Sequence, residues 1–388
     1  VLDFMLARIL FILFIGSYIG FYFAQPMRIG LFPTQKFAKV KFANATGTYF
    51  LIADTSFLGT LDYFSFCEVS KGSAGSLDVV FQGVKKTGIK QLRIIASMHE
   101  KSIELSGISP VLKARAFEGD FEIKQSNGSL LIVNMIDLEH YLEGVVESEA
   151  GTGQKMEYYK VQAIISRTFA LKSKQKHEKE GFNLCNQVHC QAYLHKRNGS
   201  AAIDSAVMNT KHLILLQPDS ALAPTFFSAN CGGQTCEPSM VWNASIDGLE
   251  SAVDTFCVYT KQAKWVKKIP ISEWERIIVG TYHFPIDDSL SKALLYHWDS
   301  PYRTSFLIHP GFGIPMRDLR EKFDLKSSFF SVHSEGEFVI LEGRGYGHGV
   351  GLCQEGAMKM AKSSFTFDQI LRFYFPSFNL GFSSSSNF

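Results

Sequence analysis

One glutamate in this sequence is placed where a carboxyl group could act as an acid. Over residues 137–150, Leu138, Leu142 and Val145 fall at helical spacings of four and three, and Glu149 continues this stripe four residues later. A carboxyl group on the apolar side of a helix loses hydration, which raises its pKa and lets it donate a proton near neutral pH. A structural ion pair at the helix end is the alternative for Glu149.

Charged residues on the same helix and on the next one complete this candidate site. Three further glutamates repeat every four residues and are expected on a solvated face, namely Glu139, Glu143 and Glu147. A second predicted helix, about 157–174, carries Lys160 and Arg167 seven residues apart, so they share one face. Either could pair with Glu149 or hold an anionic or hydroxylated substrate beside it. Solvated surface is the alternative for both.

A second group of residues has the chemistry of a metal site. His177, Cys185, His189 and Cys190 fall within fourteen residues of a polar, loop-like segment. Imidazoles and thiolates at short spacing suit tetrahedral zinc, and four protein ligands imply a structural ion with no open position for catalysis. His195 could replace His177 as the fourth ligand. A Cys185–Cys190 disulfide and free thiols are the alternatives.

Two glycine-containing segments offer groups that bind sugars. The first provides hydroxyl, amide and bare backbone groups, at Ser228, Gly232, Gly233, Gln234 and Thr235. Trp242 follows and could stack on a sugar face. A tight turn with polar residues is the alternative for this segment.

The second glycine segment alternates glycine with other residues over 343–351. It lacks the GxxxxGK[ST] spacing of a phosphate loop. Bare glycines let the backbone approach a ligand or another strand closely. His348 and Gln354 are the candidate glycan contacts here, and a buried histidine with satisfied hydrogen bonds is the alternative for His348.

The elements that must position these groups are segregated along the chain. Short strands are predicted over 37–135, followed by the helices at 137–150 and 157–174, and two short helices at 354–362 and 366–374 close the pattern. Because strands and helices do not alternate, we predict an α+β fold. A substrate cleft is expected between a strand-rich N-terminal region and a mixed core.

Composition and domain boundaries limit the function further. The chain has 388 residues, is 46% hydrophobic and carries a net charge of +2, which excludes a disordered or fibrous protein and gives no reason to expect nucleic acid as a partner. We predict an N-terminal segment at 1–27, a strand-rich region at 28–116 and a core at 117–388. A mixed insertion is expected around 250–335.

The N-terminal segment indicates export. No charged residue lies between Arg8 and Arg28, and this apolar stretch reaches the roughly 20 residues that a membrane-spanning helix needs. An uncleaved anchor with a cytoplasmic N-terminus is favoured over a signal peptide cleaved after Ala24, because bulky Tyr22 would occupy the third-last position before the cut. A buried core helix is the remaining alternative.

In an exported protein, the seven cysteines could include disulfides, such as Cys231 with Cys236 or with Cys257.

Several motifs in one order resemble the SpoIID/LytB family of stage II sporulation protein D and amidase-enhancer proteins. They are GSLLIVNMIDLEHYLEGVVESEA, YYKVQAIISRTFAL, HCQAY, FFSANCGGQTCEPSMVW and GRGYGHGVGLCQEGAMKMA. The resemblance runs with gaps over about 117–375. It leaves out the N-terminal segment and the first strands.

The resemblance implies a lytic transglycosylase that cuts peptidoglycan glycan strands. The family's catalytic glutamate ends a VVxxE pattern, which carries that role to Glu149. A KxQxxxxRT pattern implies that Lys160, Gln162 and Arg167 belong to the substrate site. Some members hold zinc at positions equivalent to Cys185, His189 and Cys190. The family's Met-Pro and Trp after the glutamate are replaced here by residues 150–152, which implies a different glycan subsite.

Two functions therefore follow from the resemblance. In the first, protonated Glu149 protonates the glycosidic oxygen, and the C6 hydroxyl of N-acetylmuramic acid closes onto C1 to give a 1,6-anhydro end. In the second, the protein binds peptidoglycan without cutting it and activates a partner amidase. A zinc hydrolase would need an open metal position, which a four-ligand site does not offer. We expect an exported protein that is anchored in the membrane and faces the cell wall or periplasm. It is expected to act in wall remodelling or division, with an amidase or division proteins as partners.

Overall fold

The structure is a computed structural model that describes residues 26–98, 101–195 and 199–383. The predicted anchor or signal peptide lies outside these residues and stays a prediction. Among the helices within the described ranges, none combines the length and apolar character that crossing a bilayer requires.

The strand-rich region contains twelve strands. They are β1 (Met27–Gly30), β2 (Lys39–Ala43), β3 (Tyr49–Ala53), β4 (Ser56–Leu61), β5 (Cys67–Lys71), β6 (Leu77–Phe81), β7 (Val84–Ile89), β8 (Gln91–Ala96), β9 (Ser102–Ser109), β10 (Leu112–Glu118), β11 (Asp120–Ser126) and β12 (Ser129–Ile136). The strand-rich pattern predicted from the sequence is confirmed. It continues past residue 116, because β11 pairs with both β8 and β12 in a single sheet.

These strands form two sheets with facing apolar sides. The larger has the order β13-β1-β12-β11-β8-β3-β4, in which β13 (Leu184–Cys185) comes from later in the chain, and the smaller has the order β10-β9-β2-β5-β6-β7. Side chains alternate in burial along β2 and β11. Phe42 of β2 meets Phe121 of β11 with ring centroids 5.4 Å apart, so the core lies between the sheets, as in a β-sandwich.

Nine helices lie within the described part of the chain. They are α1 (Leu138–Ala150), α2 (Met156–Lys172), α3 (Ala201–Asn209), α4 (Ser239–Trp242), α5 (Ile271–Tyr282), α6 (Ser289–Tyr296), α7 (Met316–Lys322), α8 (Gln354–Lys362) and α9 (Phe367–Tyr374). Helices α1, α2, α8 and α9 confirm the predicted helices, and the α+β class is confirmed with them. Helix α3 was not predicted.

Two small strand pairs join distant parts of the core. β14 (Leu213–Leu216) runs antiparallel to β21 (Asn379–Phe382). β15 (Phe227–Ser228) runs parallel to β20 (Leu352–Cys353). The second pair brings both glycine-containing segments together at one place.

The expectation that Glu139, Glu143 and Glu147 face solvent is wrong. Their exposed fractions are 5%, 5% and 7%, because other elements of the core cover the side of α1 that carries them. Glu139 is buried with a countercharge. Arg167 of α2 donates to its two carboxylate oxygens at 2.9 and 2.5 Å.

The mixed stretch predicted around 250–335 builds a small unit with its own apolar core. Its strands are β16 (Lys264–Pro270), β17 (His297–Trp298), β18 (Phe330–Glu335) and β19 (Phe338–Arg344), in the order β16-β19-β18-β17. Trp265, Trp274 and Leu341 lie in this core. Because β19 leads directly into the second glycine segment, the unit fixes where that segment starts.

Candidate functional site

Glu149 lies in the last turn of α1 with its side chain half-buried. Asp137 caps the start of the helix, and its carboxylate accepts the backbone N–H of Glu139 at 2.8 Å. Gly151 caps the end, and its φ of +68° favours glycine. Burial raises the pKa of the Glu149 carboxyl group, because desolvation penalises the charged form. The placement is the one that the apolar stripe predicts.

One oxygen of Glu149 is held by the backbone that follows the cysteine-rich loop. The N–H of Ala192 donates to Oε1 at 2.6 Å, and this bond opposes the rise in pKa. With Oε1 accepting, Oε2 is the oxygen on which a transferable proton would sit. The N–H of Leu194 donates to Ser148 Oγ at 3.1 Å, so the segment is fixed to α1 at two points.

Two predicted glutamines lie beside Glu149. Gln354, at the start of α8, donates from Nε2 to the Glu149 carbonyl oxygen at 3.4 Å and to Gln162 Oε1 at 3.3 Å. Tyr158 also donates to Gln162 Oε1, at 3.3 Å. The structure therefore joins Glu149, Gln162 and Gln354 in one hydrogen-bonded group.

Ser228 lies next to this group through the β15–β20 pairing, in which it is opposite Cys353. Its Oγ is buried and has no hydrogen-bond partner among the described residues. Gly347 approaches closely, and a Cβ there would lie 2.9 Å from Ser228 Cβ. A buried hydroxyl without a partner suits a site that a polar ligand completes.

Trp242 and His348 form an aromatic pair with ring centroids 5.3 Å apart. Trp242 is 41% exposed, which leaves ring surface free for a sugar. His348 Nδ1 accepts the N–H of Val350 at 3.0 Å. Burial, and then the charges of Arg320 and Arg303, lower the pKa of His348 to about 4, so its imidazole is neutral at pH 7.

Lys160 and Arg167 do not approach Glu149 as an ion pair. Lys160 Nζ binds Glu157 Oε1 at 2.6 Å. Arg167 is fully buried and, besides Glu139, donates to the carbonyl oxygen of Leu213 at 3.0 Å. The predicted substrate contact of Arg167 is therefore wrong in this structure, because no donor of its side chain reaches a surface.

The remaining predicted sugar-binding residues border a different cavity. Gly232, Gly233 and Gln234 line a cavity of about 240 Å³ together with residues of the 264–344 unit. Gln234 is held by Arg303, whose N–H donates to its Oε1 at 2.9 Å. Thr235 is buried and its Oγ1 accepts the N–H of Ala252 at 2.7 Å. This cavity does not include Glu149, and the cleft expected beside the strand-rich region stays a prediction.

The predicted metal-binding residues meet in what we call the loop cluster, formed by His177, Cys185, His189 and Cys190. Their ligand atoms all lie within 4.8 Å of one another. His177 Nε2 lies 3.2 Å from His189 Nε2 and 3.3 Å from Cys190 Sγ, and Cys185 Sγ lies 3.3 Å from His189 Nε2. A tetrahedron with zinc bonds of about 2.0–2.3 Å has edges of about 3.3–3.8 Å, so the residues fit zinc.

The surroundings of the loop cluster also suit a metal. Glu180 Oε1 lies 2.6 Å from His177 Nδ1, and a carboxylate on the outer nitrogen orients a ligating imidazole. His195 is not part of the group. All seven cysteines are free thiols, so the structure has none of the disulfides weighed from the sequence.

Two contacts of the site were missed by sequence reasoning. The Ala192 N–H is a backbone group, which no residue pattern identifies. Tyr158 was not predicted as a site residue, and its position four residues before Gln162 is the one signal that could have indicated the hydrogen bond.

Comparison with known proteins supports the resemblance found in the sequence motifs. The model of the family SpoIID, stage II sporulation protein, matches residues 126–216. An uncharacterized protein of Brachyspira hyodysenteriae is 28% identical over 254 residues, which cover 64% of this chain and 68% of the relative.

Two named relatives come from Bacillus subtilis. Its stage II sporulation protein D is 28% identical over 258 residues, which cover 63% of this chain and 74% of the relative. Its amidase enhancer is 22% identical over 285 residues, which cover 61% of this chain and 39% of the relative. The motifs, the family match over residues 126–216 and these relatives therefore agree that the chain is similar to the SpoIID family.

Proposed function

We propose that this protein acts on the bacterial cell wall as a peptidoglycan lytic transglycosylase with Glu149 as its acid. The observation that carries the proposal is the half-buried carboxyl group whose Oε1 is held by Ala192 and whose pKa is raised by burial. The match to stage II sporulation protein D supports a cell-wall role. The exposed ring of Trp242 and the buried hydroxyl of Ser228 are suitable contacts for a glycan.

The first step asks Glu149 to give a proton from Oε2 to the glycosidic oxygen that leaves N-acetylmuramic acid. The bond from C1 to that oxygen breaks, and positive charge develops at C1. The leaving sugar departs as an alcohol. Glu149 is then a carboxylate in a poorly hydrated position, which makes it a strong acceptor for the next proton.

The second step closes the ring without water. Ionised Glu149 takes the proton of the sugar's own C6 hydroxyl, and the oxygen forms a new bond to C1. The product has a 1,6-anhydro end, and the carboxyl group returns to its protonated state. A single carboxyl group is sufficient for both transfers, whereas hydrolysis by a pair would need a second one at defined separation.

Zinc in the loop cluster is part of this proposal as a structural ion. His177, Cys185, His189 and Cys190 would hold it, and its four coordination bonds would fix the loop without polarising a substrate. The N–H of Ala192, two residues after Cys190, would thereby be held against Glu149.

We also propose export, with residues 9–24 as the membrane anchor.

A second candidate function is peptidoglycan binding that activates a partner amidase. It is favoured by the residues that follow Glu149, where Gly151 and Thr152 are exposed and the family's tryptophan is absent. The similarity to an amidase enhancer supports the same view. In this case Trp242 and Ser228 would bind glycan, and Glu149 would transfer no proton.

The test is a digest of purified glycan strands, with and without stem peptides, by the full-length protein. Mass spectrometry should find 1,6-anhydromuramic ends with the wild type and with Glu147→Gln, but none with Glu149→Gln. Glu147→Gln is the matched control, because it makes the same change two residues earlier on α1. Binding to the strands without new ends would favour the second function, and equal activity of Glu149→Gln would remove Glu149 from the mechanism.

A further inference from the structure

A second group of side chains that could bind a metal lies deep in the core and shares no residue with the loop cluster. We call it the buried cluster, formed by Cys231, Asp254, Cys257 and Cys353. All four residues are 0% exposed, and their ligand atoms lie within 4.8 Å of one another. They come from three separate segments, which are the turn after β15, the loop before β16 and the end of β20.

We propose that the buried cluster binds a zinc ion through three thiolates and one carboxylate. Cys231 Sγ lies 3.5 Å from Cys257 Sγ and 3.3 Å from Asp254 Oδ2. Zinc bonds of about 2.3 Å to sulfur and 2.0–2.2 Å to oxygen give tetrahedral edges of about 3.4–3.8 Å, so the spacing fits with small shifts. Soft thiolate donors in a tetrahedral arrangement favour zinc over the harder divalent cations.

The charge of Asp254 supports a cation at this place. In the described ranges, Asp254 makes no ion pair with a lysine, arginine or histidine. A buried carboxylate without a countercharge is strongly unfavourable. Its oxygens are oriented by the Tyr374 hydroxyl, which donates to Oδ2 at 2.9 Å, and by the N–H of Phe256, which donates to Oδ1 at 2.9 Å.

The thiols are also arranged as thiolate ligands. Backbone N–H groups of Cys231 and Gly356 point to Cys353 Sγ at 3.2 and 3.4 Å, and such donors stabilise negative sulfur. A side chain at Gly356 would overlap the Tyr374 hydroxyl and Asp254 carboxylate, so the space around the cluster is already filled by its orienting groups.

Four protein ligands leave no position for substrate, so the ion is structural. Its effect on the site would pass through Cys353, because the next residue is Gln354, which binds the Glu149 carbonyl oxygen and Gln162. The ion would thus fix the start of α8 and, through Cys231, the turn that follows Ser228.

The experiment measures zinc per chain in full-length protein that has been loaded with zinc and freed of excess metal. Cys257→Ala should lose one equivalent relative to its parent, both in the wild type and in a Cys185→Ser background. Cys236→Ala should lose none. Cys236 is the matched control, because it is equally buried and lies five residues after Cys231 but outside the cluster.

A measurement on protein with the buried cluster intact guards against a variant that fails to fold. Zinc X-ray absorption of the Cys185→Ser protein should show a shell of three sulfur atoms and one oxygen. The proposal is overturned if Cys257→Ala keeps as much zinc as Cys236→Ala. It is also overturned if thiol titration of the denatured, metal-free wild-type protein finds five thiols, and peptide mapping finds Cys231 joined to Cys257 by a disulfide.

Discussion

The loop cluster and the buried cluster are built from the same kinds of side chain in opposite ways. The loop cluster takes its four residues from one stretch of fourteen, at the edge of the larger sheet, with His189 exposed. The buried cluster joins Cys231 to Cys353 across 122 positions of sequence. A local cluster fixes a loop, whereas a cluster of distant segments fixes the fold.

The residues that follow each cluster in the chain contact Glu149, and they contact different parts of it. Two residues beyond the loop cluster, Ala192 binds the carboxylate. One residue beyond the buried cluster, Gln354 binds the backbone carbonyl. The segment after the loop cluster therefore positions the carboxylate of Glu149. The segment after the buried cluster positions the backbone that carries it.

The largest expected effect is the loss of a ligand from the buried cluster. Cys353→Ala should lower the free energy of unfolding by about 3–5 kcal/mol, because it leaves buried charge without its counterpart. Cys236→Ala should cost about 1 kcal/mol, the value for a small apolar loss. Denaturant unfolding followed by circular dichroism measures both, and equal costs would contradict the role of Cys353 as a ligand in the buried cluster.

A smaller effect on stability and a clear effect on activity are expected at the loop cluster. His189→Ala should lower the rate of anhydro-end formation about 10–100-fold, the usual cost of disturbing the support of a metal site. Its unfolding free energy should fall less than that of Cys353→Ala, because His189 is exposed. His195→Ala, a neighbouring imidazole outside the cluster, should retain activity. Loss of activity in both variants would show that the loop tolerates no change and would remove the assignment to zinc.

The smallest effect is a shift in pH dependence. Activity of the wild type should fall as pH rises through the raised pKa of Glu149, because the acid must start protonated. The Ala192 bond lowers that pKa, so His189→Ala, which frees Ala192, should move the decline to higher pH. Cys257→Ala should leave the decline where it is. Profiles of kcat/KM against pH measure this, and a shift to lower pH in His189→Ala would contradict the role of Ala192.

Much of the local structure could be predicted from the sequence. The Asp137 cap, the stripe that ends at Glu149, and the four loop-cluster residues all depend on neighbours within a few turns of chain. Their spacing is therefore informative before any folding is known. The fold class followed from the same local patterns.

Contacts between distant segments were not predictable in this way. Arg167 was one of two candidates to pair with Glu149 or to hold substrate beside it, yet it binds Glu139, because the first turn of α1 faces α2. Cys231, Cys257 and Cys353 carry no common spacing, and only the pairing of β15 with β20 brings two of them together. Tertiary packing decides these positions, and a single sequence does not contain a pattern for it.

The hydrogen bond from Gln354 to the carbonyl oxygen of Glu149 spans 205 positions of sequence. A ribosome makes α1 long before it reaches α8, so a growing chain carries the acid without its partner. This contact can form only after the chain has been translated past Gln354. A truncated product that ends before Gln354 would keep Glu149 and yet lack this hydrogen bond to its carbonyl oxygen.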